Sequence, residues 1–153
     1  MIYTPLTKRA MRLCFEAHQG QVDKAGLPYP NHPLHVAEQM TDEASCCVAL
    51  LHDTVEDTPV TLAQLAEAFP PVVVDAIRML THDESVPYLD YVRGIARAAK
   101  RDGAGSAADV ARRVKMADLR HNSDLTRLDE VTDKDRARAA KYAQALAILG
   151  AEG

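Results

Sequence analysis

The chain has 153 residues, enough for one domain spanning 1–153, and its 47% hydrophobic residues supply a core that needs no disulfide or metal staple. A net charge of −4, 18 dispersed basic residues, two Phe and no Trp exclude the cationic stripe of a duplex-nucleic-acid binder and leave little for single-strand stacking. A small anionic ligand stays open, because a pocket can be positive on an acidic surface.

No apolar run reaches the roughly eighteen residues of a membrane span, and MIYTPLTKRAM lacks the order of a signal peptide, so a soluble cytoplasmic protein without a membrane partner is expected. The three cysteines, two of them the neighbours Cys46 and Cys47, form neither an even disulfide set nor a spaced zinc motif, and read as buried thiols. The oligomeric state is left open.

In chain order, the first helix is predicted over Thr7 to His18. DKAGLPYPNHP, from Asp23 to Pro33, holds three prolines and a glycine and predicts an ordered, irregular loop. Helices follow over Pro33 to Met40 and Ala44 to His52. Thr61-Leu-Ala-Gln64 is a capping box ahead of LAQLAEAF. Val72 to Val74 join a helix over Pro71 to Leu80, because Ala76, Ile77 and Leu80 continue the helical spacing. A further helix covers Pro87 to Arg101, and RDGAGSA reads as a flexible connector. Ser106 with Asp109, and Thr132 with Asp135, repeat the box with Asp in the place of Glu. They open long helices whose inward faces carry Val110, Val114 and Ala117, then Tyr142, Leu146 and Leu149. The fold class is all-α, a compact bundle of about seven or eight helices.

The chemistry concentrates in LLHDTVEDT, residues 50–58. His52 and Asp53 supply a nitrogen and an oxygen at a helix end, which on this fragment alone read first as a helix C-terminal charge and a turn residue, and second as metal ligands. His32 lies in Asn-His-Pro at a predicted helix start, and Asp118 in KMADLRHN inside a long helix. An ionised Asp near a core is costly unless it is paired or metal-bound. Together the four offer two nitrogens and two oxygens, a set that suits Mn(II) or Fe(II) better than a thiolate zinc site does. Glu56 and Asp57 follow Asp53 by three and four positions, either as a solvated acidic turn or as groups that move a proton beside a metal. Asn122, four residues after Asp118, is a surface amide or a partner for phosphate or water.

HQGQ at 18–21, GLPYPNHPLHVAE at 26–38, ALLHDTVEDT at 49–58 and KMADLRHN at 115–122 resemble, in order and spacing, the metal-dependent HD superfamily. More narrowly, they resemble the hydrolase domain of RelA/SpoT homologues and the stand-alone small alarmone hydrolases, over residues 7–149. The resemblance implies an HD-type helical bundle with one divalent ion, usually Mn(II), on His32, His52, Asp53 and Asp118. It implies that Glu56 and Asp57 activate water and that Asn122 positions substrate or water. The implied partner is a small nucleotide, and the reaction removes pyrophosphate from the 3′ position of ppGpp or pppGpp, leaving GDP or GTP.

The chain departs from this pattern in two places. Where the family carries two consecutive bases before GxPY, it has Asp23 and Lys24; where a base follows the Asn122 motif, it has Asp124. Lys24, Lys115 and Tyr29 are the candidate substrate contacts, Tyr29 also packing the loop that holds His32. Arg93, Arg97, Arg120 and Arg127 read as solvated cations or as arms over the cleft, and Tyr142 as core. His121 is placed on a different helix face from Asp118, His35 has no assigned place, and His18 and His82 read as structural or exposed. The acids at 23 and 124 motivate an alternative, an HD phosphohydrolase of another nucleotide such as NADPH or a nucleoside phosphate. A non-catalytic nucleotide-binding module is the third reading, and the Glu56–Asp57 pair argues against it.

Overall fold

The structure, a computed structural model, describes residues 1–151. It contains α1 (Pro5–Ala17), α2 (Asn31–Glu38), α3 (Glu43–Leu51), α4 (Thr54–Asp57), α5 (Leu62–Ala68), α6 (Pro71–Leu80), α7 (Tyr88–Asp102), α8 (Ala107–Asn122), a 3₁₀ turn (Leu125–Arg127) and α9 (Asp133–Ala151). Eight of these helices have seven residues or more, and α4 is a single turn, so the all-α expectation and the helix number agree with the fold. Among the described residues no helix is long and apolar enough to cross a membrane.

Local chemistry sets the boundaries. Thr4 and Thr7 form a reciprocal cap, Thr7 N–H donating to Thr4 Oγ1 at 3.1 Å and Thr4 N–H to Thr7 Oγ1 at 2.8 Å, so α1 starts earlier than the hydrophobic pattern alone predicts. The Thr61–Gln64 box is present as predicted, and Ser106 caps α8 by accepting from Asp109 N–H. The RDGAGSA segment is tied rather than loose. Gly103 ends α7 at φ 84°, Gly105 N–H donates to the Asp109 carboxylate at 3.0 Å, and Ser106 Oγ donates to the Gly103 carbonyl at 2.7 Å.

At the centre stands α3, EASCCVALL, whose residues from Ser45 to Leu51 are all fully buried. A helix apolar on every side belongs inside the bundle, and α1, α2, α6 and α8 surround this one. Cys14, Cys46 and Cys47 are free and buried, as expected. The longer α8 touches α2, α3, α6, α7 and α9. Its inward face is therefore held from several sides, and residue 118 lies against the ends of α2 and α3.

Candidate metal centre and the adjoining pocket

Three helices and one helix junction converge on a single point. His32 is the second residue of α2, His52 caps the end of α3, Asp53 caps the start of α4, and Asp118 projects from α8. His32, His52 and Asp118 are buried. Ligand atoms of His32, His52 and Asp53 all lie within 4.8 Å of one another, a group able to hold a metal ion. Asp118 closes the ring from the far side, its Oδ1 lying 2.8 Å from His32 Nε2 and 3.5 Å from His52 Nε2.

His52 tests whether a cation fits. Its Nδ1 donates to the Ala49 carbonyl at 2.6 Å, which leaves the lone pair on Nε2. That buried Nε2 has no hydrogen-bond partner and lies 3.1 Å from Asp53 Oδ2. A bare lone pair facing carboxylate oxygens is repulsive, so the geometry calls for a proton or a metal ion between them. The donor set of two imidazoles and two carboxylates suits a divalent cation. Burial opposes each of these charges, but their pairing outweighs it. His52 is held well above its ordinary value by Asp53 and Asp118, Asp53 falls to about 2 through His52, and Asp118 is pulled well below the carboxylate range, chiefly by Lys115.

A ring of supporting bonds fixes the four side chains. Tyr29 donates its hydroxyl to Asp53 Oδ2. Asn122 Nδ2 donates to Asp118 Oδ1 at 2.9 Å, and Lys115 Nζ to Asp118 Oδ2 at 2.9 Å. His121 stacks between His35 and His32, with ring centroids 4.1 Å and 5.0 Å away, and its Nδ1 lies 2.7 Å from His32 Nδ1. Partial burial and the charge of Arg127 push His121 down to about 4. A neutral His121 can accept the His32 Nδ1 proton, which turns the Nε2 of His32 toward the centre. The expectation that His121 faces away from Asp118 is corrected here: an i+3 step on α8 keeps the two side by side.

Glu56 and Asp57 stand on the single turn α4 at the solvent edge of the centre. The backbone N–H of His82 donates to Glu56 Oε1, and Gln21 Nε2 donates to the Asp57 carbonyl at 2.9 Å. Gln21 is in turn held by His18, whose Nδ1 lies 2.8 Å from Gln21 Oε1. The HQGQ motif therefore acts as a bracket for α4, and His18 is structural and fully buried. Desolvation and the nearby Asp53 charge raise both carboxyl groups above their ordinary values.

Beside the centre lies a cavity of about 310 Å³ to which Lys24, Tyr29, His32 and Asn122 contribute. Tyr142 packs half-buried against the core, as expected, and lines the cavity too. Lys115 does not line it. Its ammonium is committed to Asp118 and lies 5.8 Å and 5.7 Å from the Tyr88 and Tyr91 rings, so Lys115 supports a ligand rather than facing the pocket. Arg93 pairs with Asp90 on its own helix at 2.8 Å, and Arg120 lines a separate cavity of about 160 Å³ with His35 and His121. Asp124 caps the 3₁₀ turn, its Oδ1 accepting from Thr126 N–H at 3.1 Å.

An all-helical bundle that gathers two histidines and two carboxylates beside a pocket defines a class of scaffold able to hold a divalent cation. The HD-domain family model matches residues 10–146, and the chain belongs to that family. A Myxococcus xanthus protein named GTP pyrophosphokinase is 35% identical over 144 residues, covering 89% of this chain and 19% of its own length. A mouse protein named guanosine-3′,5′-bis(diphosphate) 3′-pyrophosphohydrolase MESH1 is 37% identical over 124 residues, covering 74% of this chain and 66% of its own length. The chain thus spans a small part of the first and just under two thirds of the second. A solved structure described as a metazoan orthologue of SpoT that hydrolyses ppGpp superposes with a TM-score of 0.75 at 25% identity, covering 97% of this chain and 88% of that one.

Proposed function

We propose that this protein hydrolyses the 3′-pyrophosphate of ppGpp or pppGpp, releasing GDP or GTP and pyrophosphate, with one divalent cation, Mn²⁺ by preference, on His32, His52, Asp53 and Asp118. The observation that carries the reading is the buried, unpartnered Nε2 of His52 aimed at two carboxylates beside an open pocket. The names of the mouse relative and of the superposed structure support the substrate. A cation bound there would polarise water and offset charge on phosphorus oxygens.

The chain's own residues do the remaining work. Glu56, with its carboxyl affinity raised, takes a proton from the attacking water, and Asp57 stands beside it in reserve. Asn122 holds Asp118 and presents its amide to the pocket. Lys24 offers its ammonium to phosphate, while Tyr29 holds Asp53 and walls the pocket. The water oxygen bonds to phosphorus as the bond from that phosphorus to the ribose 3′ oxygen breaks, and the leaving oxygen takes up the proton that Glu56 received.

The balanced acids and bases of the pocket favour a second reading, the same chemistry on a less charged nucleotide. Purified protein, with and without Mn²⁺, assayed on ppGpp, pppGpp, NADPH and nucleoside phosphates, separates the two. Metal-dependent turnover of ppGpp is expected, and negligible ppGpp turnover beside strong activity on another compound sinks the first reading. In the same assay Glu56→Gln should lower kcat by about a hundredfold or more while bound metal is unchanged.

A further inference from the structure

The pocket beside the metal centre is lined by three acids, Asp23, Asp124 and Asp135, and three bases, Lys24, Arg127 and Arg138. A wall that gains affinity with every added phosphate carries an excess of free cations. Here two of the three bases are already engaged. Arg138 lies 3.2 Å from Asp135, and Arg127 Nη2 donates to Asp23 Oδ2 at 3.0 Å. Lys24 has no carboxylate within ion-pair distance among the described residues.

The Asp23–Arg127 pair is built into the wall. The Asp23 side chain is only 8% exposed, and its other oxygen, Oδ1, accepts from the backbone N–H groups of Ala25 at 2.9 Å and Leu27 at 3.0 Å. Arg127 is anchored from behind as well, Nη1 donating to the His121 carbonyl at 3.0 Å. The clasp joins the loop between α1 and α2 to the 3₁₀ turn after α8, across 104 positions of sequence. For Arg127 to grip a phosphate it would have to leave Asp23, stranding a largely buried anion next to the arriving charge, which is costly.

We propose that the Asp23–Arg127 clasp is a specificity determinant: it withholds Arg127 from the bound nucleotide and tunes the pocket toward the less charged of competing nucleotides. This rests on the reading of the cavity as a nucleotide site, and is independent of which phosphate bond is cut. In the native protein each added phosphate therefore brings little affinity. Asp23→Asn keeps the Oδ1 acceptor for Ala25 and Leu27 and removes the charge that holds the guanidinium.

The test is equilibrium binding of GMP, GDP and GTP to the Mn-loaded full chain freed of excess metal. Native protein should bind the three within about threefold, and Asp23→Asn should gain stepwise with phosphate number, reaching about tenfold for GTP as one charge-assisted contact is released. The gain should vanish in Asp23→Asn/Arg127→Met. A loosened loop would shift all three ligands equally and would not depend on Arg127, so a parallel shift, or a gain that survives in the double variant, overturns the proposal. Should Asp23→Asn fail to fold, Arg127→Met alone decides. It leaves Asp23 uncompensated, so GTP must weaken most and GMP least, and an equal loss for all three rejects the clasp. Turnover of ppGpp by native protein is scored separately. Its absence beside a working clasp removes the proposed substrate, whereas turnover without a charge-dependent clasp removes only this inference.

Discussion

At the candidate metal centre each proposed ligand sits on or at the end of a helix that the core has already fixed, whereas the pocket wall alongside is assembled from a loop, a 3₁₀ turn and one face of α9. His52 is where it is because the fully apolar α3 has no choice but to fill the middle of the bundle. Asp23 and Arg127 are held by each other and by a few backbone groups of their own loops. The first region resists change because many packed neighbours determine it. The second is adjustable, since single ion pairs set its charge. The proposed reaction chemistry and the proposed ligand preference thus fall in parts of the molecule with different expected tolerance to substitution.

The largest effect should come from the centre. Asp118→Asn keeps the shape of the side chain but removes the charge that faces His32, His52 and Lys115. Bound metal, counted by elemental analysis, should fall toward zero and hydrolysis should drop about a thousandfold or more. The nearly buried Lys115 ammonium is left without its partner, so the denaturation midpoint should also fall, by an equivalent of about 3 kcal/mol. Retained metal and activity would mean that His32, His52 and Asp53 suffice as ligands, and the centre would then tolerate substitution as readily as the pocket wall.

An intermediate effect is expected one layer out. His121→Phe preserves stacking against His32 and His35 but removes the acceptor 2.7 Å from His32 Nδ1. Metal affinity should weaken by about ten- to a hundredfold. His121→Asn, which returns an acceptor, should recover part of it, and a purely steric role would give no such rescue. Nucleotide affinity should stay level, because Arg127 is anchored through the His121 carbonyl and not its ring. A large loss of nucleotide binding would erase the boundary between the two regions.

The sequence is legible in proportion to how local the cause is. Capping at Thr61 and Ser106, the helix over Pro71 to Leu80 and the convergence of His32, His52, Asp53 and Asp118 all follow from spacing or motif, and the fold agrees. Where two effects compete locally, the reading slips: α1 starts at Pro5 because of a Thr-Thr cap that hydrophobic periodicity does not register. The place of His121 beside Asp118 is local, since three positions along a helix are neighbours. Its bond to His32 and the Asp23–Arg127 clasp are not, because no local rule links residues 89 or 104 positions apart. The same holds for Lys115, whose position marks it as near Asp118 but cannot say whether its ammonium faces the pocket or the ligand.

Tyr29 touches both regions and should give the smallest effect. Its ring lines the pocket and packs 4.7 Å from His18, and its hydroxyl holds Asp53. Tyr29→Phe keeps the ring and removes only the hydroxyl with its bond to Asp53. One hydrogen bond to a charged acceptor that retains other partners should be felt as a loss of metal affinity of about three- to tenfold, with KM for nucleotide unchanged. Burial and the Asp53 charge push the phenol above its ordinary value of 10.0, so it remains a neutral donor throughout the working range. The ratio of native to Tyr29→Phe metal affinity should therefore be flat from about pH 6 to 9. A change in KM with metal affinity intact would place Tyr29 with the pocket wall, and the line between the two regions would then run between its hydroxyl and the carboxylate it holds.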